Sequence, residues 1–591
     1  MAAVGLLGTG DRLLTYDQQA DAQTATRPNF VLVMTDDLDE RSMGPLAGIR
    51  DVMGSNGTTF ENAYVSFAWC CPSRATFLRG QYPHNHGVLD NFAPAGGEPR
   101  FRQLGRDQST IATWLNDAGY QTMYVGKYLN EYTDLYKPPG WDEWFVLQGD
   151  LTKNQVNDNG TSVTLTGHST DVFAQEASDF IRSSSANPEP FFVMIGTKAP
   201  HDPPEVADRY KDRFATTPLP KPSNFNEADV SDKPQWVRSR SLLSQTQIDE
   251  IEREYRARLR SMLSVEDLLK ETIATLQETG ELSNTYIVFT SDNGYHMGNH
   301  RLPTGKRTPY EEDTGVPLMV RGPGVPAGAV RKQLVLNNDF APTLADLAGA
   351  SIPAFVDGSS FAPLLSSSSP SSWRTAFLEE GWLFETHSFK IPTRKSVHTQ
   401  KYTFTEYVDT GEYELYDLSV DPYQLQSKPR AGNEQLYSQL QGRLNALRAC
   451  SGGGCRDAEW GTSTPADTTA PRVTSTVPAA NATGVAPSTN LMATFSEKMM
   501  VSTINTTTFK LFRVNADGST AQLTNVSVSP SSDGLSATLN PFGTSTTTHL
   551  AKGTKYKAVV TTGAKDLAGN PLDQNTTTTG SQPKTWFFTV S

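Results

Sequence analysis

Five apolar runs punctuate the first 460 residues: "NFVLVMT" (29–35), "TMYVG" (122–126), "PFFVMIGT" (190–197), "TYIVFTS" (285–291) and "VPLMV" (316–320). Each is continuous rather than alternating, which marks strands covered on both faces. Between them, "QSTIATWLNDAGY" (108–120) and the long segment from 245 to about 278 repeat apolar residues at helical spacing. Strands alternating with helices predict an α/β sandwich around a mostly parallel central sheet.

The pattern changes near Gly461. "GTSTPADTTAP" is a Thr/Pro/Ala linker. Beyond it "LMATFS", "TFKLFRV", "LSATLN", "KYKAVVTT" and "TWFFTV" read as short strands, spaced by turn signals such as "NADGS" and "DLAGN". An all-β sandwich of Ig-like type is expected, and "TAPRVTSTVPAANATGVAPSTNLMATFSEKM" resembles the bacterial Ig-like modules appended to secreted enzymes. No cluster of catalytic residue types falls within it. The expected organisation is an N-terminal segment (1–26), an α/β catalytic domain (27–459), a linker (460–470) and the Ig-like domain (471–591).

Composition alters this picture little. The formal net charge of −13 argues against nucleic acid or an anionic membrane as the main partner. It is no obstacle to holding a small anion, because local fields can oppose the global sign. No apolar run approaches the roughly 18 residues a membrane span requires, so no transmembrane anchor is expected. The start, "MAAVGLLGTGDRLLTYDQQADAQTATRPNF", has a short apolar patch with no basic region before it, although "ADAQTA" has the small-residue character of a segment that follows export. Cys450 and Cys455 in "CSGGGC" read as a small disulfide loop, consistent with an oxidising compartment. A secreted or extracytoplasmic location is therefore expected.

Chemistry-bearing residues gather where open α/β sheets place their ligands, at strand ends. Asp36 and Asp37 follow the first run, and Asp292 and Asn293 follow the fourth. Adjacent buried carboxylates repel one another and lose hydration unless a cation compensates. Three Asp and one Asn supply hard oxygen ligands suited to Ca²⁺ or Mg²⁺. Either pair alone reads as a helix N-cap; two pairs at two strand ends favour a metal. His201, Lys127 and Lys306 stand on comparable loops and suit an anionic group and a leaving oxygen. Singly, each reads as structural or solvated, and their joint placement carries the expectation.

The four cysteines include the adjacent pair Cys70 and Cys71 in "AWCCPSRATFLRG". A vicinal disulfide is strained, and zinc would want further Cys or His at ligand spacing. A nucleophile remains, and "CCPSRATFLRG" matches the Cys-x-Pro-Ser-Arg signature of the formylglycine-dependent sulfatases. "VLVMTDDLD", "YPHNHGV", "VGKYLNEY", "APHDPP", "SVEDLL", "SDNGYHMG", "GKRTPYEEDTGVPLMVRGPG" and "ELYDLSVDPYQL" extend the likeness over about 27–426. Together they resemble the branch that includes N-acetylglucosamine-6-sulfatases, of alkaline-phosphatase-like fold. Trp69 departs from the small or aliphatic residue usual before the motif cysteine.

The resemblance implies that Cys70 is oxidised to formylglycine by a formylglycine-generating enzyme that reads Pro72 and Arg74. It implies that Asp36, Asp37, Asp292 and Asn293, with the modified Cys70, bind Ca²⁺. Arg74 would hold the hydrated aldehyde, and Lys127, His201 and Lys306 would contact the sulfate. One hydroxyl of the hydrate attacks sulfur, the alcohol leaves, and the second hydroxyl lets the adduct collapse; a plain Ser or Cys ester has no such second group. The implied substrate is a sulfated carbohydrate or an aryl sulfate. Many family members carry a histidine shortly after the lysine matched by Lys127, whereas this chain has Leu129 and Asn130. His296, His84 and His86 are further candidates for substrate contact. A phosphatase or phosphonate monoester hydrolase of the same fold, and a catalytically silent glycan-binding protein, are the competing expectations.

Overall fold

Four of the continuous apolar runs form the middle of one ten-stranded sheet in the computed structural model: β1 (Asn29–Thr35), β2 (Gln121–Gly126), β3 (Phe191–Gly196) and β4 (Thr285–Ser291). The structure describes residues 27–591 apart from 150–153, 369, 371, 385–386, 388–389, 462–469, 532, 544–548, 567–568, 576 and 579. The expected N-terminal segment and most of the expected linker lie outside the described residues.

In the sheet the order is β4-β1-β3-β2, and every one of these pairings is parallel. All residues of β1 and β3 are buried, as their unbroken apolar sequences require. Glu143–Leu147 extends the parallel set beyond β2. Outside this parallel set the next pairings are antiparallel on both sides, while the outermost pair, Ala329–Arg331 with Thr58–Phe60, is parallel again. The fifth apolar run forms Leu318–Arg321 against β4, and the hairpin of Gln155–Asp158 and Thr161–Thr164 closes the opposite side.

Both faces are covered. Three helices matter for the site: α1 (Cys70–Arg79), α2 (Ser169–Ser184) and α3 (Gln245–Glu278). Val31, Val33, Ile195, Ile287 and Phe289 on one face pack with Ile251, Tyr255, Leu259 and Met262 of α3. Phe30, Leu32 and Met34 on the other share a core with Phe77 and Leu78 of α1. Helix α3 starts on a capping box, in which Ser244 and Gln247 satisfy each other's backbone N–H groups.

A second sheet was not foreseen. Ala376–Gly381, Arg394–Thr399, Tyr402–Tyr407 and Glu412–Asp417 pair antiparallel, and the helix Glu434–Arg448 covers them by packing Leu440 and Leu444 with Val397, Phe404 and Leu415. Its strands mix charged and apolar residues, so the period-2 signal is diluted. Cys450 and Cys455 form the expected disulfide just after that helix. Beyond the linker, a four-stranded and a five-stranded sheet enclose Leu491, Leu511, Leu539, Trp586 and Phe588, and all five expected strand runs are present.

Helix α1 stops at Gly80, whose φ is 66°. A Cβ there would lie 2.9 Å from Val356 Cγ1 and 3.2 Å from the Asn338 carbonyl oxygen. Left-handed backbone and close packing both demand glycine. Gly80→Ala is expected to cost about 1–3 kcal/mol, seen as a Tm several degrees lower in thermal unfolding; an unchanged Tm would contradict this.

Candidate active site

The carboxyl ends of β4, β1, β3 and β2 bring four loops side by side. Asp292 and Asn293 follow β4, Asp36 and Asp37 follow β1, His201 follows β3 and Lys127 follows β2. Backbone hydrogen bonds tie the loops together: Asp292 N–H to the Thr35 carbonyl (3.0 Å), Asp36 N–H to that of Ala199 (3.1 Å) and Lys127 N–H to that of Gly196 (2.7 Å). A Cβ at Gly196 would stand 2.3 Å from the Lys127 carbonyl oxygen and 3.1 Å from Arg74 Nη1, so β3 must end on glycine.

The acids form the floor. One carboxylate oxygen from each of Asp36, Asp37 and Asp292 lies within 4.8 Å of the others, and all three residues are buried. Asp37 adopts a left-handed backbone, φ 70°, with its N–H donating to Asp292 Oδ1 at 3.1 Å. Burial opposes charge on Asp36 and Asp37, yet Lys127 and Lys306 hold both below the usual carboxylate range. Burial and the neighbouring Asp36 push Asp292 up to about 6. Asn293 donates its amide to Asp37 Oδ1 at 2.7 Å, and its own buried Oδ1 has no hydrogen-bond partner. Three crowded carboxylates beside a bare amide oxygen fit a hard divalent cation.

Helix α1 enters this floor at its first residue. Pro72 sits in the opening turn, where a backbone N–H would have no intrahelical acceptor. Cys70 is fully buried. Its Sγ accepts from Lys306 Nζ at 2.7 Å and lies 3.5 Å from Asp36 Oδ1. Arg74, one turn on, donates Nε to Asp292 Oδ2 at 2.7 Å and Nη1 to the Lys127 carbonyl at 2.6 Å. Its Nη2 is buried with no hydrogen bond, 3.9 Å from Asp36 Oδ2. Lys127 pairs with Asp36 and Lys306 with Asp37. Ser73 donates to the Asp292 carbonyl and receives Asn337 Nδ2 at 2.9 Å. Burial pushes the Cys70 thiol up to about 12 although both lysines pull the other way, so unmodified Cys70 is a neutral thiol. Cys71 is a second free, buried thiol whose N–H donates to Asn91 Oδ1 at 2.7 Å.

His201 closes the group from above. Its Nδ1–H donates to the Asp202 carbonyl at 2.7 Å, leaving Nε2, 3.8 Å from Asp37 Oδ2, as the free nitrogen. A ring nitrogen of His201, Cys70 Sγ and an Asp36 oxygen lie within 4.8 Å of one another.

Residues 28–350 match the family model described as Sulfatase, and 298–450 match that of the N-sulphoglucosamine sulphohydrolase C-terminal region. The chain belongs to the sulfatase family. It is accordingly a sulfuric ester hydrolase, and residues 467–590 match a bacterial Ig-like domain. The N-acetylglucosamine-6-sulfatase of Capra hircus is 35% identical over 484 residues, covering 74% of this chain and 86% of the relative. The arylsulfatase of Volvox carteri is 33% identical over 507 residues, covering 75% of this chain and 78% of the relative. A solved structure of a protein in complex with its substrate D-glucosamine-2-N,6-O-disulfate superposes with a TM-score of 0.63 at 24% identity, covering 75% of this chain and all of that one.

Three histidines proposed from sequence stand differently in the sulfatase. His84 Nδ1 meets Glu380 at 2.8 Å and its Nε2 meets the Cys450 carbonyl at 3.0 Å. His86 is fully buried between Thr76 Oγ1 and the Val88 N–H, with burial pushing its pKa down to about 3. Their hydrogen bonds run to these groups rather than to the Cys70 cluster. His296 is closer in: its strand pairs with Gly305, next to Lys306, and its Nδ1 meets Asp313 at 2.9 Å. Leu129 is buried in the core.

Sequence reasoning missed Arg258. From α3 its Nη2 donates to the Asp37 carbonyl and its Nη1 to that of Pro200 at 3.1 Å, while its guanidinium covers the Tyr295 ring at 4.1 Å. It clamps the loop of Asp37 to the loop of His201. The signal was there: Arg258 interrupts the buried stripe Ile251, Tyr255, Leu259, Met262, where a charged residue needs partners. Arg258→Leu is expected to lower kcat/KM at least about tenfold, because a displacement near 1 Å in catalytic geometry has effects of this size or larger. Steady-state kinetics on a folded variant checks it, and activity within twofold of the parent would contradict it.

Proposed function

We propose that this sulfatase removes the 6-sulfate from N-acetylglucosamine units of sulfated glycans, using formylglycine made from Cys70 and a bound Ca²⁺. The observation that carries this reading is the convergence on Cys70 Sγ of Lys306, Asp36 and a free His201 nitrogen, with Arg74 Nη2 left unpartnered close by. The substrate class is supported by the names of the relatives and by the sulfated glucosamine bound in the structural neighbour.

Cys70 Sγ stands in for an oxygen of the hydrated formylglycine, which supplies one hydroxyl to attack sulfur and a second whose deprotonation releases the sulfate. Asp36, Asp37, Asp292 and Asn293 would hold the Ca²⁺, which offsets the charge of the sulfate. Arg74 Nη2 is free to donate to the hydrate. Lys127 and Lys306 present ammonium groups to the sulfate oxygens, where a low-dielectric surround strengthens each contact. The leaving sugar oxygen takes its proton from Lys306 or from a doubly protonated His201, whose ring orientation is set by the Asp202 carbonyl. The positive end of α1 faces the same place.

The catalytic domain is assigned to 27–459, the linker to 460–470 and the Ig-like domain to 471–591. Maturation requires a formylglycine-generating enzyme, and the Cys450–Cys455 disulfide supports a secreted or extracytoplasmic location.

Peptide mass analysis of the Cys70 segment together with sulfate release from N-acetylglucosamine 6-sulfate tests the reading. Conversion of Cys70 and release of sulfate are expected; a Cys70 that stays a thiol in the native host, with the ester untouched, would overturn it. Cys70→Ala should abolish turnover. Cys71→Ala, which removes one buried sulfur, should cost about 1 kcal/mol of stability and keep most activity; equal losses would contradict the division of roles.

A further inference from the structure

We propose that Trp69 is a positioning residue for the sulfatase reaction, one that holds Lys306 against residue 70 and couples it to a closed rim of Asp90, His387 and Arg307. The proposal rests on the function given above. It starts from the sequence: a large aromatic stands directly before Cys70.

Trp69 is the N-cap residue of α1, so its position is fixed by the same backbone that presents Cys70. Lys306 Nζ lies 5.2 Å from the centre of the indole and the Arg307 guanidinium 4.9 Å from it, both within cation–π range. The same Lys306 Nζ sits 2.7 Å from Cys70 Sγ. The indole plane is itself fixed. Nε1 donates to Asp90 Oδ1 at 2.9 Å, and Asp90 Oδ2 meets His387 Nε2 at 3.0 Å. His387 Nδ1 contacts Arg307 Nη1, whose guanidinium returns to the indole. The loop of contacts closes on itself, and Asp90 within it is buried.

Lys306 needs such a support. It follows a two-residue strand, Thr304–Gly305, and precedes Arg307, whose φ is 78°. Its four-carbon stem is flexible, and Asp37 competes for its ammonium. The aromatic face supplies a second attraction on the side of Cys70, so Lys306 stays between the carboxylate and the reacting atom. An aliphatic residue at 69 would fill space without attracting the charge.

Trp69→Leu and Trp69→Phe separate these roles. Kinetics are expressed per formylglycine-containing molecule, measured by peptide mass, because the substitution adjoins the modified residue. Affinity for inorganic sulfate is measured by calorimetry on the unconverted Cys70 protein. Trp69→Leu is expected to lower kcat about 3–30-fold, with a smaller change in KM, and to weaken sulfate binding over the same range. Trp69→Phe, which keeps a ring face, should recover most of both losses. Parental kcat and sulfate affinity in Trp69→Leu, or a Trp69→Phe as impaired as Trp69→Leu, would overturn the proposal. Should Trp69→Leu not fold, Asp90→Asn loosens the indole while keeping it. A smaller loss in kcat and sulfate affinity is then expected, and no change in either would overturn it. Failure of the parent protein to release sulfate would instead count against the proposed function.

Discussion

The mutual repulsion of three buried carboxylates governs the arrangement of this sulfatase. Asp36, Asp37 and Asp292 meet within 4.8 Å, in surroundings where an uncompensated charge costs several kcal/mol. They are forced together by the parallel register of β1 and β4, which ends both strands at one level. Each compensating cation then comes from a different part of the chain: Arg74 from α1, Lys127 from the end of β2, Lys306 from the short ribbon beyond β4. The same groups that make the fold tolerable are those suited to grip a sulfate. Holding the acids and presenting positive charge to the substrate are one arrangement.

Much of the fold was legible because its signals are strong. Continuous apolar runs gave the central strands, apolar residues at helical spacing gave α3, and a composition shift marked the Ig-like module. The mostly parallel sheet proved parallel in the middle and antiparallel where Leu318–Arg321 and the 155–164 hairpin join it, since Val316 to Val320 reads as an apolar strand without revealing its direction. The four-stranded sheet from Ala376 to Asp417 escaped notice because residues such as Arg394, Lys395 and Glu406 interrupt its alternation.

The site was legible through motifs that name residue types at strand ends, so the Cys70, Asp and Lys positions assembled as expected. What motifs cannot convey is which way a ring turns. His84 and His86 lie next to the signature in sequence, yet they face Glu380 and Thr76. Arg258 lies far away in sequence, one of four arginines between 253 and 260, and only its place on the buried stripe distinguishes it. Trp69 was visible as a departure, but its meaning depends on Lys306, Arg307 and His387, which only the fold brings to it.

On the proposed reading a divalent cation, rather than protein charges alone, completes the acid cluster. Isothermal titration of the chelator-treated, full-length protein with Ca²⁺ and with Mg²⁺ tests this most directly, with Asp292→Asn as the comparison. A single Ca²⁺ site is expected that is tighter than Mg²⁺, raises Tm on filling and is severely weakened by Asp292→Asn. A parent protein that binds neither ion, or an Asp292→Asn variant that binds Ca²⁺ as tightly as the parent, would contradict it.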